Sequence, residues 1–342
     1  GEVKAIIGGR GEKTSNRTWN RVTDTTRQPG STFKIIGCFA PAIDGAGMTL
    51  ATPHENTPLT VGTKTYRNYD GSSGGSKTIR EAITNSVNLV TVRTLQDIGI
   101  DLGYQYAEKF GITTLVDADK NLGLSLGGLT LGVTNLQLTG AYAAIANQGE
   151  YIKPTFYSKV LDHDGNVLLD SAAKERHRVL KETSAYLITS AMEDVMTEGT
   201  GKPAYFGDSM PQAGKSGTTT SNRDSLFAGF TPYYTCVLWG GYDDNSKQGT
   251  TAYTKRIWHK VMERLHEGLE KKEFKKPADI VEDKACRSTG LLANSGCSSY
   301  TEYFDKENLP EVCSRHRYSS SSSSKKKDDD EDDEKKTDDE KK

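Results

Sequence analysis

The stretch that decides the fold runs Gln28-Pro29-Gly30-Ser31-Thr32-Phe33-Lys34-Ile35-Ile36-Gly37-Cys38-Phe39. A Pro-Gly pair interrupts regular structure, and Ser31 follows it at the start of an apolar-periodic run, where a helix N-terminus is expected. A serine and a lysine three positions apart on one helix share a face, about one turn from each other. The stretch therefore predicts a helix that presents Ser31 and Lys34 side by side.

Two further short motifs extend this pair, Ser86-Val87-Asn88 and Lys215-Ser216-Gly217. The Lys34 amine can accept the Ser31 proton only when it is neutral, and lowering a lysine pKa from 10.4 to near 7 requires about 4.6 kcal/mol. Burial and the charge of Lys215 would supply that energy. Ser86 can relay a proton, and Asn88 can hold a substrate amide.

An oxyanion that forms on the substrate needs two backbone donors. The N–H of Ser31 lies at the predicted helix N-terminus, and a strand edge at Gly217-Thr218 would supply the second N–H. Each motif alone is common: a lone Ser-x-x-Lys is most often a solvated helix face, and Lys-Ser-Gly is most often a turn. Their combination and order are what favour nucleophilic catalysis.

The periodicity along the chain predicts an α+β domain. Helical spacing recurs in five segments: 78–99, 102–110, 134–147, 182–197 and about 251–268. Strand patterns occupy 225–230 and 233–239, a hairpin signal stands at 164–166, and residues 1–9 are typical of a strand that ends in a Gly turn. We expect an antiparallel sheet covered by N- and C-terminal elements, with an all-helical subdomain between them.

Composition and charge exclude several classes of protein. The 342 residues carry a net charge of -2 and show no apolar run long enough to cross a bilayer. Residues 319–342 combine six serines with ten acids and seven lysines, and are predicted to be a disordered tail. The remaining body is close to neutral, which gives no basic face for a nucleic acid.

The motifs stand in the order found in penicillin-binding proteins and serine β-lactamases. The chain resembles the transpeptidase domain of class A, bifunctional penicillin-binding proteins, over about residues 1–265. Segments that carry the resemblance include Arg27-Gln28-Pro29-Gly30-Ser31, Asn68-Tyr69-Asp70-Gly71, Leu131-Gly132-Val133-Thr134 and Gly241-Tyr242-Asp243-Asp244.

The resemblance implies a serine acyltransferase, without a cofactor, that acts on the D-Ala-D-Ala end of peptidoglycan stem peptides and is acylated by β-lactams. It makes Ser31 the nucleophile, Lys34 its base, Ser86 a proton shuttle to the leaving amine and Asn88 an amide-binding residue. Lys215 would tune the pKa values of Lys34 and Ser86. The remaining implied residues bind the terminal carboxylate or line the same strand: Ser216, Gly217, Thr218 and Thr220.

The resemblance also implies a domain organisation and a location. Residues 1–270 would be the transpeptidase domain, and 271–318 a small Cys-containing appendage. The parent protein would add a glycosyltransferase domain and an N-terminal membrane anchor, both absent from this sequence. The catalytic domain would then face the outside of a bacterial cytoplasmic membrane.

Two alternative functions share the three motifs, a serine β-lactamase and a β-lactam sensor. A β-lactamase needs an extra base that activates water, usually a Glu between the second and third motifs. The glutamates in that interval are Glu150, Glu175, Glu182, Glu193 and Glu198. None of them lies in a segment that resembles the lactamase loop.

Five cysteines fall into two groups. Cys38 and Cys236 lie in apolar segments and are expected to pack as small hydrophobic side chains. Cys286, Cys297 and Cys313 cluster near the C-terminus, and with His316 they could supply four metal ligands. Their wide spacing lacks a Cys-x-x-Cys clip, so we expect no metal and instead one disulfide, with Cys297–Cys313 the favoured pair.

Overall fold

The predicted helical segments form helices in the computed structural model, which describes residues 1–171 and 175–316. The α-helices in these residues are α1 (Ala40–Asp44), α2 (Ile79–Asn85), α3 (Asn88–Ile98), α4 (Ile100–Lys109), α5 (Asn135–Ala146), α6 (Glu182–Thr197) and α7 (Tyr253–Leu265). Capping boxes at Thr78 and Thr134 begin α2 and α5. The tail predicted for 319–342 lies outside the described residues.

Short strands fill most of the connections between the helices. In the described residues they are β1 (Thr26–Arg27), β2 (Pro53–Glu55), β3 (Leu59–Val61), β4 (Lys64–Tyr66), β5 (Ser76–Thr78), β6 (Val133–Thr134), β7 (Glu150–Ile152), β8 (Lys159–Leu161), β9 (Val167–Asp170), β10 (Arg176–Arg178), β11 (Ala213–Thr218), β12 (Asp224–Phe230), β13 (Thr235–Gly241), β14 (Ile280–Cys286) and β15 (Ser299–Asp305). The predicted hairpin around 164–166 is confirmed as the β8–β9 pair.

The central sheet is antiparallel, with β12 between β11 and β13. Every residue of β12 is buried, because helices cover both faces of the sheet. On one face α7 places the Trp258 ring 5.1 Å from that of Phe227, and the Trp258 indole N–H donates to the carbonyl of Cys236 at 3.0 Å. Helices α5 and α6 pack against the sheet as well, which confirms the α+β class.

The helical part of the molecule is built around the segment that contains Ser31. A 3-10 turn at Gly30–Thr32 leads into a π-helix at Ile35–Phe39 and then into α1. The apolar side chains of the π-helix are fully buried and form the centre of the main core. Their burial fixes the position of the preceding turn, which carries the functional residues.

The N-terminal strand prediction is wrong. Among the described residues, Glu2 forms a single bridge to Thr155, and Ile7 is 82% exposed. An apolar pattern favours an extended backbone, but a strand also needs a partner edge, and this segment meets only one bridging residue. N-terminal side chains nevertheless reach the sheet: Arg27 donates to Asp224 at 2.8 Å.

The C-terminal appendage packs on the helical part through a buried ion pair. Its hairpin, β14–β15, carries Glu302, whose side chain is 1% exposed and pairs with Arg80 at 2.7 Å. Arg80 lies on α2 and also pairs with Asp194 at 2.6 Å. The appendage therefore holds the helix that leads to Ser86.

We expect Glu302→Gln to lower the free energy of unfolding by about 3 kcal/mol, because it leaves the Arg80 guanidinium short of one buried carboxylate. Urea titration would measure the loss. The matched control is Glu282→Gln, whose partner Lys276 and own side chain are exposed, and which should change stability by less than about 0.5 kcal/mol. Equal effects of the two substitutions would contradict the buried-pair explanation.

The expected Cys297–Cys313 disulfide does not form. All five cysteines, each within the described residues, are free thiols. Cys286, Cys297, Cys313 and His316 instead converge, with their ligand atoms within 4.8 Å of one another. The wide sequence spacing is closed in the structure, since the β14–β15 pairing brings Cys297 towards Cys286 and a bridge between Leu292 and Val312 brings Cys313.

Membrane-spanning segments can be assessed for the same described ranges. Within them, none of the helices combines the length and the apolar character that a bilayer crossing requires.

Candidate active site

The position of the turn that carries Ser31 is set by the backbone of Gly30 and by two hydrogen bonds of Thr32. Gly30 adopts a φ of +53°, in the left-handed region that glycine tolerates best. The Thr32 hydroxyl donates to the Pro29 carbonyl at 2.8 Å, and the Tyr142 hydroxyl on α5 donates to the Thr32 carbonyl at 2.8 Å. Ser31 itself is partly exposed, so a substrate can reach it.

The Lys34 amine is fully buried directly below this turn. Its Nζ donates to the Asn88 side-chain carbonyl at 2.6 Å and to the Ser86 backbone carbonyl at 2.7 Å, and lies 3.2 Å from the Ser86 hydroxyl. Burial lowers the pKa of Lys34 well below its usual value, and the charge of Lys215 lowers it further. Lys34 of the first motif is thus brought together with Ser86 and Asn88 of the second.

Ser86 lies where the predicted helix 78–99 divides into α2 and α3. It caps α2 in the left-handed region, with a φ of +58°, and is 5% exposed. A non-glycine residue in this conformation is uncommon and is favoured here by its surroundings. The Asn88 amide donates to the Arg67 carbonyl at 3.0 Å, and Asn68 accepts from the Leu89 N–H at 3.1 Å, which fixes the start of α3.

The third motif occupies β11, at the edge of the central sheet. Lys215 and Gly217 are two positions apart, so both face the same side of the strand. Lys215 is fully buried, and burial together with the charge of Lys255 lowers its pKa to about 7. A Cβ at Gly217 would lie 2.6 Å from the Pro29 carbonyl, so the strand and the Ser31 turn are in direct contact.

The end of the same strand approaches the residue before Ser31. A Cβ at Gly30 would lie 3.0 Å from the Thr218 carbonyl oxygen and 3.4 Å from the Thr218 nitrogen. The backbone of Thr218 therefore borders the Ser31 turn, as the predicted pair of backbone donors requires. Thr220 begins the turn after the strand, Thr220–Asn222, and is exposed.

Two residues of the site were missed by sequence reasoning. The Thr200 hydroxyl lies 2.8 Å from that of Ser216, and the Lys255 amine donates to the Thr200 carbonyl at 3.1 Å. Thr200 stands in a Gly-Thr-Gly segment that resembles the family, which is a usable signal. Lys255 lies on α7 in an ordinary amphipathic pattern, so no sequence signal distinguishes it.

A polar cavity of about 530 Å³ opens beside the second motif. Asn85 and Val87, which flank Ser86, line one side of it, and Glu198 and Thr200 line another. The cavity is thus lined by both chain neighbours of Ser86 and by Thr200, the partner of Ser216, whereas Ser31 is not among its lining residues. It adds a polar recess next to the site.

This arrangement of three motifs on an α+β fold is that of serine penicillin-recognising enzymes. The family model described as "Penicillin binding protein transpeptidase domain" matches residues 1–263. The chain belongs to this family, as the transpeptidase domain of a class A penicillin-binding protein.

Known relatives agree with this assignment. Penicillin-binding protein 1A of Clostridium tetani is 34% identical over 347 residues, covering 92% of this chain and 43% of that protein. Penicillin-binding protein 1F of Bacillus subtilis is 34% identical over 293 residues, covering 82% of this chain and 39% of that protein. The chain thus spans about two fifths of the length of these relatives.

Solved structures support the fold. Penicillin-binding protein 1A of Haemophilus influenzae superposes with a TM-score of 0.74 at 24% identity, over 85% of this chain and 50% of that chain. The PonA1 protein of Mycobacterium tuberculosis in complex with penicillin V superposes with a TM-score of 0.67 at 24% identity, over 81% of this chain and 76% of that chain. The predicted fold family is confirmed.

Proposed function

We propose that the chain is a serine D,D-transpeptidase that crosslinks peptidoglycan stem peptides through an acyl-enzyme on Ser31. The Ser31 oxygen attacks the carbonyl of the D-Ala-D-Ala peptide bond and forms an ester, and the terminal D-Ala leaves with its amine. The amine of a second stem peptide then attacks the ester and frees Ser31. Attack by water instead would make the same site a carboxypeptidase.

The observation that carries this proposal is the hydrogen bonding of the Lys34 amine. Carbonyl oxygens can only accept, so the contacts with Ser86 and Asn88 at 2.7 and 2.6 Å use two N–H groups of Lys34. A neutral amine has two N–H groups and one lone pair. With both N–H groups committed to these carbonyls, the lone pair of the neutral amine is left for a hydroxyl proton, the Ser86 hydroxyl lies 3.2 Å away, and the lowered pKa of Lys34 favours this neutral form.

Ser86 is suited to the second proton transfer. Its hydroxyl lies 3.2 Å from the Lys34 amine, so a proton taken from Ser31 can pass through Lys34 and Ser86 to the leaving nitrogen. The side-chain carbonyl of Asn88 accepts from Lys34, and its amide donates to the Arg67 carbonyl. These two bonds orient the side chain beside the substrate path. Both groups assist only if the substrate lies along this side of Ser31.

The strand β11 is proposed to bind the other end of the substrate. The N–H groups of Ser31 and Thr218 would stabilise the oxyanion. The hydroxyls of Ser216, Thr218 and Thr220 would hold the terminal carboxylate, which Lys215 attracts when it is protonated. Gly217 keeps β11 close enough to the Ser31 turn for the strand and the turn to contact the same substrate.

A β-lactamase would need a carboxylate near Ser31, and most candidates are engaged elsewhere. Glu150, Glu175 and Glu182 pair with surface cations, to Arg176, Lys153 and Arg178 respectively. Glu193 lies on α6, where burial and the neighbouring charge of Asp194 raise its pKa to about 7. Glu198 lines the polar cavity, and Ser31 is not among the residues that line that cavity. The transpeptidase proposal is therefore preferred.

The parent protein is proposed to act at the outer face of the cytoplasmic membrane. Peptidoglycan lies outside that membrane, so its stem peptides are crosslinked there. The matched relatives are more than twice as long as this chain, which leaves room for the expected anchor and glycosyltransferase domain.

The test is covalent labelling by benzylpenicillin, followed by intact mass. We expect a stable adduct of one penicillin per chain, since the β-lactam ring opens without a leaving group, and no adduct on Ser31→Ala. An adduct on Ser31→Ala would contradict the assignment of the nucleophile. Rapid loss of the adduct with turnover of antibiotic would favour the β-lactamase, and a D-Ala-D-Ala peptide with an acceptor amine would separate transfer from hydrolysis.

A further inference from the structure

Four side chains of the C-terminal appendage form a cluster that the proposed transpeptidase reaction does not use. The sulfurs of Cys286, Cys297 and Cys313 lie 3.5, 3.5 and 3.3 Å from Nδ1 of His316. All four atoms lie within 4.8 Å of one another. Three thiols are thus arranged around a single imidazole nitrogen at nearly equal distances.

These distances are those of a tetrahedral metal site. With metal–sulfur bonds of about 2.3 Å and a metal–nitrogen bond of about 2.1 Å, a tetrahedron separates sulfur from nitrogen by about 3.6 Å and sulfur from sulfur by about 3.8 Å. The observed separations fall close to the first value. Three sulfurs and one nitrogen are also a complete ligand set, which leaves no open position for a substrate.

Backbone hydrogen bonds of the hairpin fix two of the ligands. Cys286 ends β14, and its N–H and carbonyl close a turn with Leu291 and Gly290 at 2.7 and 2.9 Å. The Cys313 N–H donates to the Leu292 carbonyl at 2.7 Å. Because these contacts do not involve the thiols, the cluster is positioned by the fold.

Polar groups around the ligands are placed to support them. The Asn294 N–H donates to the Cys297 sulfur at 3.4 Å, and the Asn294 amide donates to the Cys313 carbonyl. The other imidazole nitrogen, Nε2 of His316, lies 3.5 Å from the Ser288 hydroxyl. Ligand sulfurs and the second nitrogen of a ligand histidine usually have such partners in metal sites.

We propose that Cys286, Cys297, Cys313 and His316 bind one Zn²⁺ that stabilises the appendage. Thiolate and imidazole ligands in a tetrahedral arrangement select zinc among the common divalent metals. The appendage needs such support, because among its described residues only Ala285 and Phe304 are fully buried members of its own hydrophobic cluster, joined by Ala51 of the main domain. Small units with so little core are commonly stabilised by a metal or a disulfide.

A disulfide would use two of the three thiols and leave the third beside an imidazole with no role. The near-equal distances of the three sulfurs from Nδ1 of His316 favour a shared central ion over one sulfur–sulfur bond. The two possibilities also differ in the number of free thiols, which provides the decisive measurement.

The experiment uses the full chain, purified without chelator and without added metal. Elemental analysis should find one zinc per chain, and native mass should show the ion bound. After unfolding in EDTA, all five cysteines should react with a thiol reagent. Replacement of the zinc by Co²⁺ should give the intense visible bands of a tetrahedral cobalt–thiolate site. A protein without stoichiometric zinc, or with only three reactive thiols, would overturn the proposal, as would stoichiometric iron.

Variants localise the site. Cys297→Ser should lose the zinc and the cobalt–thiolate bands, and its Tm should fall by several degrees. The matched control is Cys236→Ser, which removes a thiol on β13 outside the cluster and should keep one zinc per chain.

Because Cys297→Ser could also unfold the appendage, a second variant, His316→Cys, is tested. It supplies a fourth thiolate and should retain zinc with a shifted cobalt spectrum. Loss of zinc from Cys236→Ser, or its retention by Cys297→Ser at the wild-type affinity, would contradict the assignment.

Discussion

Replacing Lys34 by methionine is expected to slow the acylation of Ser31 by penicillin about a thousandfold, because general-base catalysis typically contributes 10²–10⁴-fold. Methionine has a similar length and fits a fully buried position, but it offers no lone pair of comparable basicity. The Ser31 hydroxyl would then have to lose its proton to water or to Ser86. The rate of adduct formation, followed by quenched intact mass, measures the effect.

The control for this substitution is Lys153→Met, which removes an exposed lysine that pairs with Glu175 at 2.9 Å. It should acylate at the wild-type rate. Thermal unfolding of both variants shows whether they remain folded, since Lys34→Met also removes a donor from two buried carbonyls. A folded Lys34→Met protein that acylates within tenfold of wild type would exclude Lys34 as the base.

The wild-type rate should also depend on pH in a direction set by the lowered pKa of Lys34. The amine accepts a proton only when neutral, so acylation is lost as the pH falls through that pKa. With an ordinary lysine as base, the acylation rate would fall below about pH 10.5. Burial and the charge of Lys215 move this fall in rate to a far lower pH. Lys215, whose pKa burial and the charge of Lys255 lower to about 7, gains its proton as the pH falls through that value, and its charge then disfavours protonation of Lys34. An acylation rate that already falls near pH 10 would contradict a lowered pKa of Lys34.

Local patterns were enough to predict the α+β class and most helices. The segment 182–197 is the clearest case: its apolar spacing matches α6 to the residue. The meeting of Lys34 with Ser86 and Asn88 is different, because it joins residues more than fifty positions apart and was expected from the family resemblance and not from local spacing. Short-range spacing carries such information because a helix turn or a strand fixes relative positions within a few residues.

Features that depend on distant partners could not be predicted in this way. The break between α2 and α3 at Ser86 has no glycine or proline to mark it, and it is set by contacts with Lys34, 52 positions away in the chain. The N-terminal segment has a strand pattern but finds almost no partner edge. The cysteine cluster is closed by the β14–β15 register, which a spacing rule does not contain.

Gly217→Ala is expected to slow acylation about a hundredfold although it replaces none of the proposed catalytic side chains. Its Cβ would lie 2.6 Å from the carbonyl of Pro29, the residue before the Ser31 turn, and 2.9 Å from a methyl carbon of Thr32, the last residue of that turn. Neither a backbone oxygen nor a buried methyl can yield cheaply, so β11 must move away from the turn. An oxyanion needs both donors at about 2.7–3.1 Å, and losing one typically costs 10²–10³-fold.

The matched control is Gly249→Ala, at a glycine with open space around it and no left-handed backbone, which should acylate at the wild-type rate. Tm shows whether a slower reaction results from unfolding or from displacement of β11. Overpacking costs about 1–3 kcal/mol, which leaves the domain folded at 25 °C. A slow, folded Gly217→Ala protein that still binds penicillin non-covalently indicates a widened oxyanion site. Acylation of Gly217→Ala within twofold of wild type would show that the backbone of β11 takes no part in the chemistry.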